Sequence, residues 1–120
     1  MHNIILSKGV EMPPIVETTN WMDYPQMKTL VTEGLKFGFR AFDTARAYGN
    51  EHIVGRVVKE CLEELGLNRE DVFITTKIGN SEQCMGNIEE QIDISLRNLQ
   101  TDYVDLWMMH WPYPDYYVDT

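Results

Sequence analysis

The chain has 120 residues, enough for one domain at most, and its 43% hydrophobic and 24% charged residues are ordinary for a soluble globular protein. A net charge of −9 argues against broad binding to nucleic acid or to an anionic membrane, although a local basic pocket can still take an anionic cofactor. No apolar run is long enough to span a membrane, and the opening Met1-His2-Asn3-Ile4-Ile5-Leu6 lacks the basic and long apolar regions of a signal peptide.

Along the chain, Ile4 to Leu6 and Val10 to Met12 read as two short strands joined by a turn at Lys8-Gly9. Pro13-Pro14 ends that pairing, because proline cannot donate to a ladder. Ile15 to Trp21, rich in β-branched residues, is a weak strand. Tyr24 to Gly38 has helical spacing, with Met27, Leu30, Val31, Leu35 and Phe37 forming an apolar stripe. Phe39 to Phe42 is a short strand that ends at Asp43. A second helix runs from Asn50 or Glu51 to Leu65, with Ile53, Val54, Val57, Val58, Cys61, Leu62 and Leu65 inward and Gly66 closing it. Asp71 to Lys77 is a strand, 79–86 a loop, and Asn87 to Leu99 a third helix with Ile88, Ile92, Leu96 and Leu99 on one face. The apolar run within Tyr103 to His110 fits a parallel strand buried on both faces. A loop from Trp111 to Asp115 follows. The two cysteines have no metal-ligand spacing and favour a reducing, cytoplasmic setting; Cys61 is expected in the core and Cys84 as a bystander in the polar loop.

A hairpin followed by strict β-α alternation predicts a parallel sheet with right-handed crossovers. Asp43, Lys77 and His110 end successive strands, 34 and 33 residues apart. One βα unit has about that length, so the three side chains belong at one edge of the sheet. In parallel α/β folds the carboxyl edge is where ligands bind. Taken singly, such residues are usually a turn cap, a surface charge and a satisfied core histidine. Together they predict an ion pair between Asp43 and Lys77 beside Tyr48, which lies in the loop at the same edge. A cationic lysine next to a phenol favours the phenolate and makes the phenol a better acid. Tyr48 would then protonate a carbonyl oxygen that His110 orients. The hydride has to come from a reduced nicotinamide or flavin, since no side chain supplies one.

The stretch from Gly38-Phe39-Arg40-Ala41-Phe42-Asp43-Thr44-Ala45 through Tyr48-Gly49-Asn50-Glu51 to Val54-Gly55 resembles the signature of the aldo-keto reductases. Thr76-Lys77 and Met109-His110-Trp111-Pro112 are similar to further motifs of that family, and the hairpin is similar to its barrel-bottom cap. The resemblance implies a (β/α)8 barrel that reduces aldehydes and ketones with NADPH. Asp43, Tyr48, Lys77 and His110 match its catalytic tetrad, with Tyr48 as general acid, Lys77 and Asp43 as its tuning pair and His110 as the orienting residue. It also implies that Thr19, Asn20 and Asp43 touch the cofactor, and that Trp21 and Trp111 join Tyr48 and His110 around a small-molecule carbonyl substrate.

There are two departures. Val16-Glu17-Thr18-Thr19-Asn20-Trp21 stands where the family has Gly-x-Gly-Thr, so glycine's close backbone approach is not provided. Thr120 falls at the threshold of the expected fourth helix. The expected fold is therefore the N-terminal half of the barrel, a partial reductase domain over 1–120 with a hairpin cap, four parallel strands and three helices. Half a barrel leaves two edge strands unpaired, which predicts a fragment that is inactive alone, self-associates or needs the missing C-terminal half. Two rival readings remain. One is a non-catalytic half-barrel that acts as a binding or regulatory subunit. The other is a Schiff-base aldolase using Lys77.

Overall fold

Residues 2–84 and 86–112 are described by the computed structural model. The expected loop at 113–115 and the surroundings of the Cys84 side chain lie outside what is described. Two strands, β1 (Ile4–Ser7) and β2 (Val10–Met12), pair antiparallel as the sequence predicts, with Ile4 opposite Met12. Four more strands form a parallel sheet in chain order: β3 (Glu17–Thr18), β4 (Ala41–Asp43), β5 (Phe73–Ile78) and β6 (Leu106–Met109). The helices α1 (Tyr24–Phe37), α2 (Glu51–Leu65) and α3 (Ile88–Leu99) connect them. This is the expected α/β arrangement of four parallel strands and three helices.

Local chemistry sets the helix ends. Asp23 caps α1 by accepting from the Gln26 backbone N–H at 3.0 Å, and the Gln26 side chain accepts from the Asp23 N–H in return. Gly38 ends α1 at φ +103°, a conformation that costs glycine little. Asn87 caps α3 by accepting from the Glu90 N–H at 3.1 Å.

The core lies between the sheet and its helices. Met27, Val31 and Leu35 of α1 meet Val54, Val57, Val58, Cys61 and Leu62 of α2, with Phe42, Val72, Ile74 and Leu99 closing the cluster. Cys61 is fully buried there, as expected. Gly55 of α2 faces the backbone of Leu99, and a Cβ at that position would come within 2.5 Å of its carbonyl. The close crossing of α2 and α3 therefore depends on a residue without a side chain.

Several expectations need correction. β3 is two residues long instead of seven, because the chain turns sharply at Trp21, where φ is +62°. The strand expected over 39–43 begins at Ala41, and the one expected over 71–77 begins at Phe73, since Arg69–Asp71 form a 3-10 turn. Phe37 does not join the α1 stripe: it is 82% exposed and touches Phe39. On α3 the buried positions are Gln91, Ser95 and Leu99, whereas Ile92 and Leu96 are half-buried and Ile88 is exposed. β6 is an outer strand of the sheet, so Met108 and Met109 are exposed rather than enclosed on both faces.

Candidate active site

Strand alternation decides which side chains reach the site. On β5, Ile74 and Thr76 turn toward the helices, where Ile74 joins the core and the Thr76 hydroxyl donates to Glu51. Lys77 turns to the opposite face. Parallel pairing sets Asp43 beside Thr75, at the carboxyl end of β4. Lys77 is thereby brought within reach of Asp43, and its Nζ donates to Asp43 Oδ2 at 2.6 Å. Its other donors go to the Thr44 carbonyl at 3.0 Å and to the Tyr48 hydroxyl at 3.4 Å. The Lys77 side chain is 12% exposed and that of Asp43 23%. The predicted ion pair is present, with the phenol beside it.

Tyr48 ends a 3-10 turn, Arg46–Tyr48, that follows β4. Its N–H donates to the Ala45 carbonyl at 3.1 Å. His110 directly follows β6, and its backbone N–H continues the ladder to the Ile78 carbonyl at 3.1 Å. The imidazole meets the Tyr48 ring edge-on, with centroids 5.7 Å apart. Trp111 stacks nearly parallel on His110 at 6.1 Å, and Gln83 donates to the Trp111 carbonyl at 3.0 Å. Asp43, Tyr48, Lys77, His110 and Trp111 thus share the carboxyl end of the sheet. A cleft of about 200 Å³ adjoins them, lined by Ala47, Gly79, Asn80, Ser81, Glu82, His110 and Trp111. A larger cleft of about 550 Å³ lies at the opposite end of the strands, around Phe39, Arg40, Phe73 and Asp105, remote from these side chains.

The β3 end of the site is less uniform. Thr19 is fully buried, and its hydroxyl donates to the Asp43 carbonyl at 2.9 Å. That hydroxyl holds β3 against β4 and is turned away from solvent. Asn20 and Trp21 are exposed, Trp21 by 78%. Glu17, in the segment that departs from the family pattern, packs its carboxylate against Gly34 of α1, where any Cβ would overlap it. Oε2 of Glu17 has no hydrogen-bond partner, and burial pushes the Glu17 carboxyl above its usual value of 4.5.

Sequence reasoning used Asn50 and Glu51 only as a helix start and as part of a motif. Both are buried and both hold neighbouring elements. The Asn50 side chain donates to the carbonyls of Thr19 and Met22, at 2.8 and 3.2 Å, which fixes the loop that carries Asn20 and Trp21. Glu51 accepts from Thr76, Ser95 and Asn98. Two adjacent polar residues on the inward face of a helix start were a readable signal for this. Among the described residues, no cluster of His, Cys, Asp or Glu could hold a metal ion, and no helix is long and apolar enough to cross a membrane.

The sequence model of the aldo/keto reductase family matches residues 15–120. The D/L-glyceraldehyde reductase of Hypocrea jecorina is 40% identical over 111 residues, which are 91% of this chain and 33% of that protein. The aldose reductase of Schistosoma japonicum superposes with a TM-score of 0.88 at 32% identity, over 95% of this chain and 38% of that one. An aldo-keto reductase of the silkworm Bombyx mori, solved also with NADPH, gives a TM-score of 0.84 at 33% identity over 92% of this chain and 36% of its own. The chain therefore spans about a third of the length of these relatives, 33–38%.

Proposed function

We propose, because this chain belongs to the aldo/keto reductase family, that it carries the acid–base half of a site reducing small aldehydes or ketones to alcohols with NADPH. One observation carries the reading: a single ammonium, Lys77 Nζ, is shared between the Asp43 carboxylate and the Tyr48 hydroxyl. A carbonyl oxygen at Tyr48 would take the phenolic proton. The charge left on the Tyr48 oxygen then faces Lys77 Nζ, which Asp43 and the Thr44 carbonyl hold in place. His110, edge-on to Tyr48, lies close enough to hydrogen-bond the same oxygen and orient it. When bound, the reduced nicotinamide supplies the hydride for the carbonyl carbon.

The residues present fit one end of such a cofactor. Asn20 is exposed just past β3, beside Thr19, whose N–H donates to the Asp43 carbonyl, and is available to a ribose hydroxyl. The fully engaged Thr19 hydroxyl is not. Exposed Trp21 and Trp111 would supply apolar walls for the substrate. Relatives named for glyceraldehyde and for D-xylose reduction support a small carbonyl compound as substrate.

The Schiff-base alternative is disfavoured by the same geometry. All three N–H donors of Lys77 are engaged, so no lone pair is presented to a carbonyl. The test is to titrate the chain with NADPH by cofactor fluorescence and then add a generic aromatic aldehyde. Tyr48→Phe should keep cofactor binding and lower turnover by about 10²–10⁴-fold. A folded chain with neither binding nor turnover would leave the family intact and mark the chain as inactive without the missing C-terminal half.

A further inference from the structure

We infer that Glu51 is a positioning residue: through Thr76 it ties the turn carrying Tyr48 to the strand carrying Lys77, and so sets the distance between them. Its consequence for rate rests on the reductase reading, but its geometry does not. Tyr48 lies three residues before Glu51, across Gly49 and Asn50. Glu51 is the first residue of α2 and is 2% exposed. Oε2 accepts from the Thr76 hydroxyl at 2.7 Å, and Thr76 is the chain neighbour of Lys77. Because side chains alternate along β5, Thr76 points to the helices while Lys77 points to the site. One buried hydrogen bond thus couples the two backbones behind the sheet, whereas the pair it sets stands in front.

Two features make this coupling matter. The contact between Lys77 Nζ and the Tyr48 oxygen is 3.4 Å, near the limit for a hydrogen bond, so a shift of a few tenths of an ångström would lose it. The carboxylate of Glu51 is also held from a second side. Oε1 accepts from Ser95 at 3.2 Å and from Asn98 at 3.4 Å, both on α3. Glu51 therefore has one arm to β5 and another to α3. A purely structural tie depends on both arms alike, whereas a positioning residue acts through the β5 arm.

The experiment separates the arms. Thr76→Val removes the hydroxyl on β5 with little change of shape, Thr76→Ser restores it, and Ser95→Ala removes a donor on α3. Glu51→Gln serves as a second variant that keeps shape and changes charge. The readout that needs no activity is the ¹³C signal of labelled Tyr48, assigned with Tyr48→Phe. It should shift in Thr76→Val and Glu51→Gln, return in Thr76→Ser and hold in Ser95→Ala. With an aldehyde substrate, kcat should fall by about tenfold in Thr76→Val with KM little changed, and stay at the wild-type value in Ser95→Ala. A Tyr48 signal that is unmoved by Thr76→Val, or moved equally by Ser95→Ala, overturns the inference. A wild-type chain without turnover is the outcome expected of an isolated half-barrel and bears on the reductase reading alone, because the Tyr48 signal still decides the role of Glu51.

Discussion

At the carboxyl ends of the strands Lys77 meets Asp43 at 2.6 Å, and at the amino ends Arg69 meets Asp105 at 3.0 Å. Both pairs are mostly buried, and both join successive strand units. Their surroundings differ. The Arg69 guanidinium donates to the Thr101 hydroxyl, the Val72 and Tyr103 carbonyls and the Asp105 carboxylate, and lies over the Tyr103 ring at 4.1 Å. Asp105 also accepts from the Ile74 N–H at 2.8 Å. Every group in that cluster is matched by another, so it locks β6 to β5 and has little capacity left for a ligand. Lys77 has two short contacts and one long one, and the long one reaches a phenol at the open mouth. An ion pair saturated with partners serves stability, and one with a loosely held third partner can serve chemistry.

The largest effect should come from the mouth. Lys77→Met should lower carbonyl turnover per folded molecule by about 10²–10⁴-fold, a loss that its effect on stability does not account for, read by steady-state kinetics and calorimetry on one sample. Arg69→Ala should do the reverse and remove about 2–4 kcal/mol of stability by denaturant titration, with turnover per folded molecule preserved. The contrast between the two ends breaks if either variant shows the other's signature.

The smallest effect concerns Glu17, whose carboxyl is raised above 4.5 by burial without a compensating partner. Its contribution to stability is full below pH 4.5 and is lost as pH rises through the raised value. Glu17→Gln should therefore melt higher than the parent at pH 7, on the order of a degree or two, and equal to it at pH 4. A difference that persists at pH 4 would place the effect elsewhere.

The site was more legible than the packing. Asp43, Lys77 and His110 recur with the length of a βα unit, and a parallel sheet converts that period into one edge without further information. Two helix ends were legible for a similar reason: Gly38 and Gly66 act on neighbours in the chain. The caps at Asp23 and Asn87 emerged only in the structure. Burial was read less well. Phe37 belongs to the apolar stripe of α1 by spacing, yet it ends the helix exposed beside Phe39. Ile88, Ile92 and Leu96 look like the inward face of α3, yet Gln91 and Ser95 are the buried ones.

By itself, the sequence determined the order of elements, two helix stops and the side chains that gather at the carboxyl edge, because these depend on periodicity and on contacts between near neighbours. Only the tertiary structure decided which face of α3 turns inward and what a buried carboxylate at the start of α2 holds. Ser95 lies 44 residues from Glu51 and Thr76 lies 25. A buried carboxylate has to find donors wherever the fold brings them, and that requirement outweighs the hydrophobic pattern of the helix that supplies them.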